Sequence, residues 1–264
     1  MVKGQLARLA KLDVDVVVEA VPGDVDGLAW RTRMEYAVAH DGSRGMRKHR
    51  SRDVVPIDRC LIAAPDAIEE PASGVVVETV LHRQFSVEAK GFWQVHPGAP
   101  TTLVETVLEM LAPLPGEKVL DLYAGVGLFA AFLGERVGES GRVVAVEGDR
   151  TACDHARGNL GHLRRATVIP GTVDRVLASS YDEPFDLVVL DPPREGARRK
   201  VVEQVVDRAP RAVAYVACDP AALGRDVAIF AEHGYELTAI RAFDLFPMTH
   251  HVECVALLVR GVAR

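Results

Sequence analysis

Cys218 occupies a position from which a side chain can do chemistry. It ends the apolar run AVAYVACDP, and Asp219 and Pro220 then open a helix. A thiol at a strand end and beside the positive end of a helix favours the thiolate, the nucleophilic form of cysteine. The alternative is a small buried hydrophobe, the commonest role of a single cysteine in an apolar strand. The position therefore predicts covalent catalysis but leaves a structural role open.

Glu253 is a candidate partner for this thiol. It begins the last apolar run of the chain, 35 residues after Cys218. If this run is an antiparallel strand, it starts at the edge of the sheet where the parallel strands end, and its carboxylate then lies near Cys218. A solvated carboxylate at a strand end is the alternative.

A second group of residues is suited to a nucleoside cofactor. One predicted strand ends in DLYAGVGLFA, where Gly125 and Gly127 let the backbone bend sharply before a helix begins. Glu147 ends the next strand, 20 residues after Gly127, where a carboxylate can accept hydrogen bonds from ribose hydroxyls. Asp191 ends the strand DLVVLDPP, and two prolines direct the chain out of the sheet. This pattern favours a bound nucleoside over a glycine turn that only packs a helix.

Alternating strands and helices after residue 90 must position these residues. Such alternation predicts a parallel sheet covered by helices on both faces, the α/β class. The last two apolar runs leave no room for a helix between them, so we expect a hairpin whose last strand is antiparallel. We place a domain boundary near residue 90, with a small β-rich module and an N-terminal helix at 1–90 and the α/β domain at 91–264. The predicted parallel strands are 118–124, 142–148, 166–171, 186–193 and 212–220.

The composition describes an acidic globular chain. Lysine and arginine total 31 against 37 acidic residues, a net charge of −6, so any nucleic-acid contact must be local. Four cysteines without a CxxC pair support neither a zinc site nor a disulfide framework, and they indicate a reducing cytoplasm. No signal peptide or membrane-spanning run is visible, and neither a membrane nor a protein partner is indicated.

One glycine-punctuated run, GSRGMRKHRSR at 42–52, concentrates positive charge. Basic side chains spaced this closely can neutralise phosphates, whereas a solvated hairpin would explain them equally well. The candidates for nucleic-acid contact in this run are Arg44, Arg47, Lys48 and Arg50.

Several motifs, in their order and spacing, resemble the RNA uracil-5-methyltransferase family. They are DLYAGVGLFA, DPPREGA, YVACDPAALGRD and LFPMTHHVECVALL, with GFWQVHPGA upstream. The resemblance runs from about residue 28 to the end of the chain, and the cysteine and glutamate motifs are its specific part. It implies a Rossmann-like methyltransferase domain that uses S-adenosylmethionine and acts on tRNA or rRNA.

The resemblance implies a role for each site residue. Cys218 is expected to be the nucleophile that adds to C6 of uracil, and Glu253 to be the base that removes the C5 proton. Phe92 and Trp93 are expected to stack on the target base. The residues expected at the cofactor are Gln94, Tyr123, Gly125, Gly127, Glu147 and Asp191.

Two features of many family members are not visible in this sequence. These members begin with a small β-barrel RNA-binding domain, followed by a cysteine cluster that holds an iron–sulfur centre. Cys60 matches the fourth cluster ligand, but its three partners are absent, so we expect no iron–sulfur cluster and no other metal. The chain resembles a member that begins late, as a short form or a fragment, and we expect weak RNA affinity of its own.

Two other functions stay open at this point. The same domain could methylate another base or a small molecule, although Arg194 stands where amino-group methyltransferases with a related motif carry an aromatic residue. The chain could also be a non-catalytic RNA-binding module, against which the presence of both Cys218 and Glu253 argues. A covalent complex with RNA that contains 5-fluorouridine would separate these functions.

Overall fold

Short strands dominate the first 90 residues. The structure is a computed structural model that describes residues 1–48, 51–69 and 73–261. The elements in this part are α1 (Val2–Leu9), β1 (Val18–Ala20), β2 (Arg31–Arg33), β3 (Ala37–Val38), β4 (Arg44–Arg47), β5 (Val54–Pro56), β6 (Ala63–Ile68), β7 (Val75–Val80) and β8 (Arg83–Glu88). Strands β2 and β6 pair in parallel, β3, β4 and β5 form an antiparallel sheet, and β7 and β8 form a hairpin.

Strands and helices alternate after residue 90, as the sequence predicts. The elements in chain order are α2 (Ala99–Leu111), β9 (Lys118–Leu122), α3 (Leu128–Val137), β10 (Arg142–Glu147), α4 (Arg150–Asn159), β11 (Ala166–Pro170), α5 (Val173–Ser179), β12 (Leu187–Leu190), α6 (Arg198–Asp207), β13 (Ala212–Ala217), α7 (Pro220–Glu232), β14 (Tyr235–Asp244) and β15 (Glu253–Arg260).

An eight-stranded sheet forms the centre of the protein. Its order is β1-β14-β15-β13-β12-β9-β10-β11. Neighbouring strands are parallel except at β15, which runs antiparallel to both β13 and β14. This topology confirms the predicted Rossmann-like α/β class with an antiparallel last strand. The expected terminal hairpin is the β14–β15 pair.

Apolar layers cover both faces of this sheet. Every residue of β12 and β13 is buried, as expected for strands with helices on both sides. Alternate residues of β9 belong to opposite layers, because successive side chains of a strand point to opposite faces. Val119 joins the layer that contains α2 and α3, whereas Leu120 and Leu122 join the layer that contains α6 and α7. This packing holds the strand ends, where the site residues lie, in fixed positions.

Two aspartates at this edge of the sheet begin helices. Asp149 accepts a hydrogen bond from the Ala152 N–H at 2.8 Å and caps α4. Asp219 accepts hydrogen bonds from the N–H groups of Ala221 and Ala222, both at 2.8 Å, and caps α7. These caps satisfy N–H groups that have no partner within the helix. They fix where each strand-to-helix turn ends.

The first 20 residues pack against the large sheet. Strand β1 pairs in parallel with the edge strand β14, and Arg241 of β14 donates to both carboxylate oxygens of Glu19 at 2.9 and 2.7 Å. Helix α1 lies against α7, where a Cβ on Gly224 would come within 3.2 Å of the Gln5 carbonyl oxygen. The domain boundary near residue 90 stays a prediction. The structure adds that two elements before this boundary join the α/β domain: β1 is an edge strand of its sheet and α1 packs against α7.

Leu6→Ala tests this docking of the N-terminal segment. Leu6 is fully buried, so the substitution removes core contacts and should lower the free energy of unfolding by about 2–5 kcal/mol. Glu19→Gln, which disrupts a partly exposed ion pair, should cost less than about 1 kcal/mol. Urea unfolding followed by circular dichroism measures both. A cost for Leu6→Ala as small as that for Glu19→Gln would contradict the docking.

Candidate active site

A cleft of about 2280 Å³ opens at the carboxyl ends of the parallel strands. It brings together residues that are far apart in the sequence, because those strand ends share one edge of the sheet. The lining includes most of the predicted catalytic and cofactor residues, namely Gln94, Tyr123, Gly125, Glu147, Asp191, Cys218 and Glu253.

The glycine loop, residues 123–127, joins β9 to α3 and faces this cleft. Tyr123, Gly125 and Gly127 all have positive φ angles, of 65°, 54° and 85°. A Cβ on Gly125 would meet no atom within 4 Å, so this glycine borders open space where a ligand can approach the backbone. Gly127 lies behind the loop, where a Cβ would sit 3.3 Å from Leu160. Close packing thus accounts for a glycine at this position, and contact of Gly127 with a cofactor stays a prediction.

Two carboxylates beside the glycine loop have unused hydrogen-bonding capacity, and of the two Glu147 lines the cleft. Glu147 accepts hydrogen bonds from the N–H groups of Gly125 at 2.8 Å and Asp149 at 2.7 Å, one on each oxygen. Each oxygen retains a second lone pair that a ribose hydroxyl can use. Asp121 is fully buried and accepts from Ala130 N–H with Oδ2, while Oδ1 has no partner among the described residues. Burial raises the pKa of Asp121 to about 7.

Asp191 begins the acid–proline–proline turn in the same cleft. Burial, with the neighbouring Glu147 charge as a second cause, raises its pKa to about 7. The far side of this turn is held by Asp226 of α7. The Oδ2 atom of Asp226 accepts hydrogen bonds from the Tyr215 hydroxyl at 2.6 Å and from Ala197 N–H at 2.8 Å. Sequence reasoning missed this anchor, although an acid within the largely apolar stretch of α7 was a usable signal.

Cys218 directly follows the last residue of β13, and Glu253 is the first residue of β15. These two strands are antiparallel neighbours. The last register pair of β13 and β15 joins Ala217 to Cys254, so the next step along both strands reaches Cys218 and Glu253. Glu253 is 3% exposed, whereas Cys218 is half-buried and accessible from the cleft. Burial, with the Asp191 charge as a second cause, raises the pKa of Glu253 well above its ordinary value. The predicted approach of these two residues is what the topology produces.

The expectation of a lowered thiol pKa is wrong for the protein without ligands. Burial raises the pKa of Cys218 to about 11, and the charges of Glu253 and Asp191 add to this effect. The Arg194 charge acts in the opposite direction and lowers the pKa of Cys218, but it does not outweigh burial and the two carboxylates. The thiolate therefore needs a positive charge or a proton acceptor beside it to become the major form.

The two aromatic residues predicted to stack on a base differ in exposure. Phe92 is 79% exposed and lines the cleft. Trp93 is 7% exposed and packs in the core against Phe85, with ring centroids 6.0 Å apart. Stacking on a ligand by Trp93 is therefore not supported, because its ring surface is already covered. Phe92 keeps this prediction.

The described residues of the predicted basic strip do not line the cleft, although Arg44 contacts Tyr36, which does. Arg44, Arg47 and Lys48 are exposed on or beside β4, and Arg44 lies over the Tyr36 ring and pairs with Glu69. Arg50 lies outside the described residues. The basic residues that line the cleft are different ones, namely Arg31, Arg33, Lys90, Arg194, Arg198 and Lys200.

Histidine and arginine side chains close one side of the cleft. Arg194 lies 3.5 Å from Nε2 of His251, and His251 packs at an angle against His250.

Among the residues that the structure describes, no three His, Cys, Asp or Glu side chains are grouped as a metal site. The half-buried Cys60 thus has no cluster partners in this part of the chain. No helix within the described ranges is long and apolar enough to cross a membrane.

Family models match two parts of the chain. Residues 174–261 match the family described as tRNA (Uracil-5-)-methyltransferase, and this range contains Asp191, Cys218 and Glu253. Residues 100–215 match the methyltransferase small domain, a range that contains the glycine loop and Glu147.

Relatives extend the likeness over almost the whole chain. A protein of Streptomyces avermitilis named "Uncharacterized RNA methyltransferase" is 41% identical, over 96% of this chain and 75% of its own length. A Bifidobacterium longum protein with the same description is 36% identical, over 98% of this chain and 74% of its length. The crystal structure of Pyrococcus abyssi tRNA (uracil-54, C5)-methyltransferase with S-adenosyl-L-homocysteine superposes with a TM-score of 0.77. It is 21% identical and covers 98% of this chain and 82% of its own.

Replacing Glu253 tests the electrostatic coupling to the thiol. Glu253→Gln removes one of the two negative charges that raise the pKa of Cys218, so the pKa should fall and alkylation should occur at lower pH. The rate of iodoacetamide labelling of Cys218, followed against pH by mass spectrometry, gives this midpoint. Glu236→Gln, an exposed carboxylate on β14, is the matched control. An unchanged midpoint in Glu253→Gln would show that the carboxylate does not act on the thiol.

Asp191→Asn should stabilise the ligand-free protein at pH 8. Since the folded-state pKa of Asp191 is raised, its protonated form favours folding at low pH, and this contribution is lost as the pH rises through about 7. The neutral amide of the variant does not lose stability in this way. The stability gained over wild type should therefore be largest at pH 8 and shrink towards pH 4. Urea midpoints from pH 4 to 8 measure it, with Asp182→Asn, a change at an exposed residue, as control. A variant less stable than wild type at pH 8 would contradict the sign.

Proposed function

This chain belongs to a family of RNA methyltransferases, and we propose that it methylates C5 of a uridine in tRNA or rRNA through a covalent bond between Cys218 and C6 of uracil. Its relatives are RNA methyltransferases, and the tRNA (uracil-5-)-methyltransferase match covers the catalytic candidates. The observation that carries the proposal is the placement of Cys218 and Glu253 at adjacent strand ends in one cleft. A nucleophile and a base beside each other are what this substitution requires.

S-adenosylmethionine fits the cofactor half of the cleft. The enzyme depends on this cofactor, which supplies an electrophilic methyl group on a positively charged sulfonium. Glu147 would accept the ribose hydroxyls, and the backbone at Gly125 allows close approach. Gln94, Tyr123 and Asp191 line the same space. A cation suits the site, because burial and mutual repulsion hold its carboxylates at raised pKa values.

Cys218 makes uracil reactive by adding to it. C5 of uracil is a weak nucleophile, but a C–S bond at C6 moves the electron pair of the C5–C6 double bond towards C5 and O4. C5 would then attack the methyl carbon of the cofactor, so that the C5–CH3 bond forms as the S–CH3 bond breaks and S-adenosylhomocysteine leaves as a neutral thioether. Without ligands the pKa of the Cys218 thiol is about 11, so the protonated thiol is the major form. A cationic group beside the thiol would offset the fields of Glu253 and Asp191 and favour deprotonation.

Glu253 completes the reaction by removing the C5 proton. After methyl transfer C5 carries both a methyl group and its original proton. Loss of this proton restores the C5–C6 double bond and expels the sulfur of Cys218. Burial raises the pKa of Glu253, and a carboxylate with a raised pKa is the stronger base. The proton can then leave to water when the product departs.

The target uridine must leave its base stack to reach Cys218, which lies inside the cleft. Phe92 offers an exposed ring at the cleft on which an extruded base can stack. Arg31 and Lys90 line the same cleft and can contact the RNA backbone. The RNA contact proposed here is thus close to the reacting base.

RNA that contains 5-fluorouridine tests the mechanism. Fluorine at C5 cannot leave as a proton, so wild-type protein with S-adenosylmethionine should form a methylated covalent complex that survives denaturing electrophoresis. Cys218→Ser should form none, and Glu253→Gln should accumulate a complex with ordinary uridine RNA. Cys60→Ser is the matched cysteine control and should behave as wild type.

Mass spectrometry of the digested complex identifies the attachment site. A peptide that carries the nucleotide on Cys218 is the expected product. Methylation of RNA by wild type without any adduct to 5-fluorouridine would favour another base as the target. Absence of both, while S-adenosylhomocysteine still binds, would favour a non-catalytic RNA-binding module.

A further inference from the structure

Asn159, the last residue of α4, links two segments that approach the cleft from different directions. Its side chain is nearly buried, with 9% exposure. The Nδ2 group donates to the carbonyl oxygens of Ser86 at 3.1 Å and Val126 at 3.0 Å, and Oδ1 accepts from Ser86 N–H at 2.9 Å. All three partners are backbone groups. The contacts are therefore independent of the side chains present at residues 86 and 126.

Asn159 takes the place of a neighbouring strand beside β8. It accepts from the N–H and donates to the C=O of one residue, Ser86, as a strand residue would. Strand β8 has only β7 as its paired neighbour in the described sheets, so this amide satisfies backbone groups on its other edge. Leaving such buried groups without partners costs about 1–3 kcal/mol each.

Neighbouring contacts strengthen the same junction. Arg83 of β8 donates to the Asn159 carbonyl oxygen at 3.2 Å. Leu160, the next residue of the chain, lies where a Cβ on Gly127 would come within 3.3 Å. The end of α4 thus contacts the β7–β8 hairpin on one side and the glycine loop on the other.

The two linked segments reach different parts of the cleft, although Gln94 of the second segment is itself a cofactor candidate. Val126 lies within the glycine loop at the cofactor half of the cleft. The β7–β8 hairpin continues directly into residues 89–96, which carry Phe92 and Gln94. The Asn159 side chain therefore links the glycine loop to the hairpin through hydrogen bonds to both.

We propose that Asn159 is a positioning residue that couples the cofactor loop to the RNA-facing segment, so that cofactor binding orders the β7–β8 hairpin. The RNA side of this proposal rests on the proposed function. The mechanical link between loop and hairpin does not. Coupling of this kind is reciprocal, so an RNA that orders residues 89–96 should also tighten cofactor binding.

Hydrogen exchange with S-adenosylhomocysteine as the probe tests the link without requiring methyl transfer. In wild type, saturating S-adenosylhomocysteine should slow amide exchange in the glycine loop and, by at least about fivefold, in hairpin residues 83–88. In Asn159→Ala the loop should still be protected, whereas the hairpin should respond by less than about twofold.

Two further variants keep the test decisive if Asn159→Ala folds poorly. Asn159→Asp keeps the shape and the acceptor for Ser86 N–H but has no N–H for Val126, so it should also lose the hairpin response. Val205→Ala removes buried contacts from α6, far from this junction, and should keep the response despite lower stability.

Three results would overturn the proposal. They are a wild-type hairpin that does not respond to the probe, a response retained in both Asn159 variants, and a response lost equally in Val205→Ala. Loss of S-adenosylhomocysteine binding in both Asn159 variants would also count against it, because the residue would then form the site rather than couple it. Failure of RNA methylation in wild type would refute the proposed function and leave this exchange result standing.

Discussion

Crowded carboxylates at one edge of the sheet are the constraint on which the rest of the structure depends. Asp121, Asp191 and Glu253 lie where burial raises the pKa of each, and the Glu147 charge contributes to the shifts of Asp121 and Asp191. Burying like charges together is unfavourable, so only a firmly packed scaffold can hold them. The fully buried strands β12 and β13 and the apolar layers on both faces provide that scaffold. The arrangement favours a cationic ligand, whose charge relieves the repulsion.

The position of the last strand determines which residues can react together. Since β15 runs antiparallel beside β13, its first residue meets the residue that follows the end of β13. Glu253 and Cys218 become neighbours although 35 residues separate them. A parallel strand at this place would bring its carboxyl end to the cleft instead. One strand reversal therefore brings the proposed base beside the proposed nucleophile, and the same neighbourhood favours the protonated thiol until a positive charge or proton acceptor is present.

Local patterns in the sequence predict the sheet well but not the packing around the site. The run 142–148 and the strand Arg142–Glu147 nearly coincide, because alternation and turn signals are properties of neighbouring residues. Phe92 and Trp93 are adjacent in the sequence, yet Phe92 is exposed whereas Trp93 is buried in a core that residues from the whole chain build. Asn159 carried no recognisable signal, because its partners are backbone groups 73 and 33 residues away.

Release of the C5 hydrogen during methyl transfer tests most directly whether Cys218 and Glu253 act on one uracil ring. RNA with tritium at C5 of its uridines is incubated with wild type and with S-adenosylmethionine, and tritium in water is compared with methyl groups on RNA. We expect wild type to release one tritium for each methyl group transferred. Glu253→Gln should methylate RNA in its first turnover without releasing tritium, and Cys218→Ser should neither methylate RNA nor release tritium. Methylated RNA that retains all its tritium with wild-type protein would contradict the mechanism.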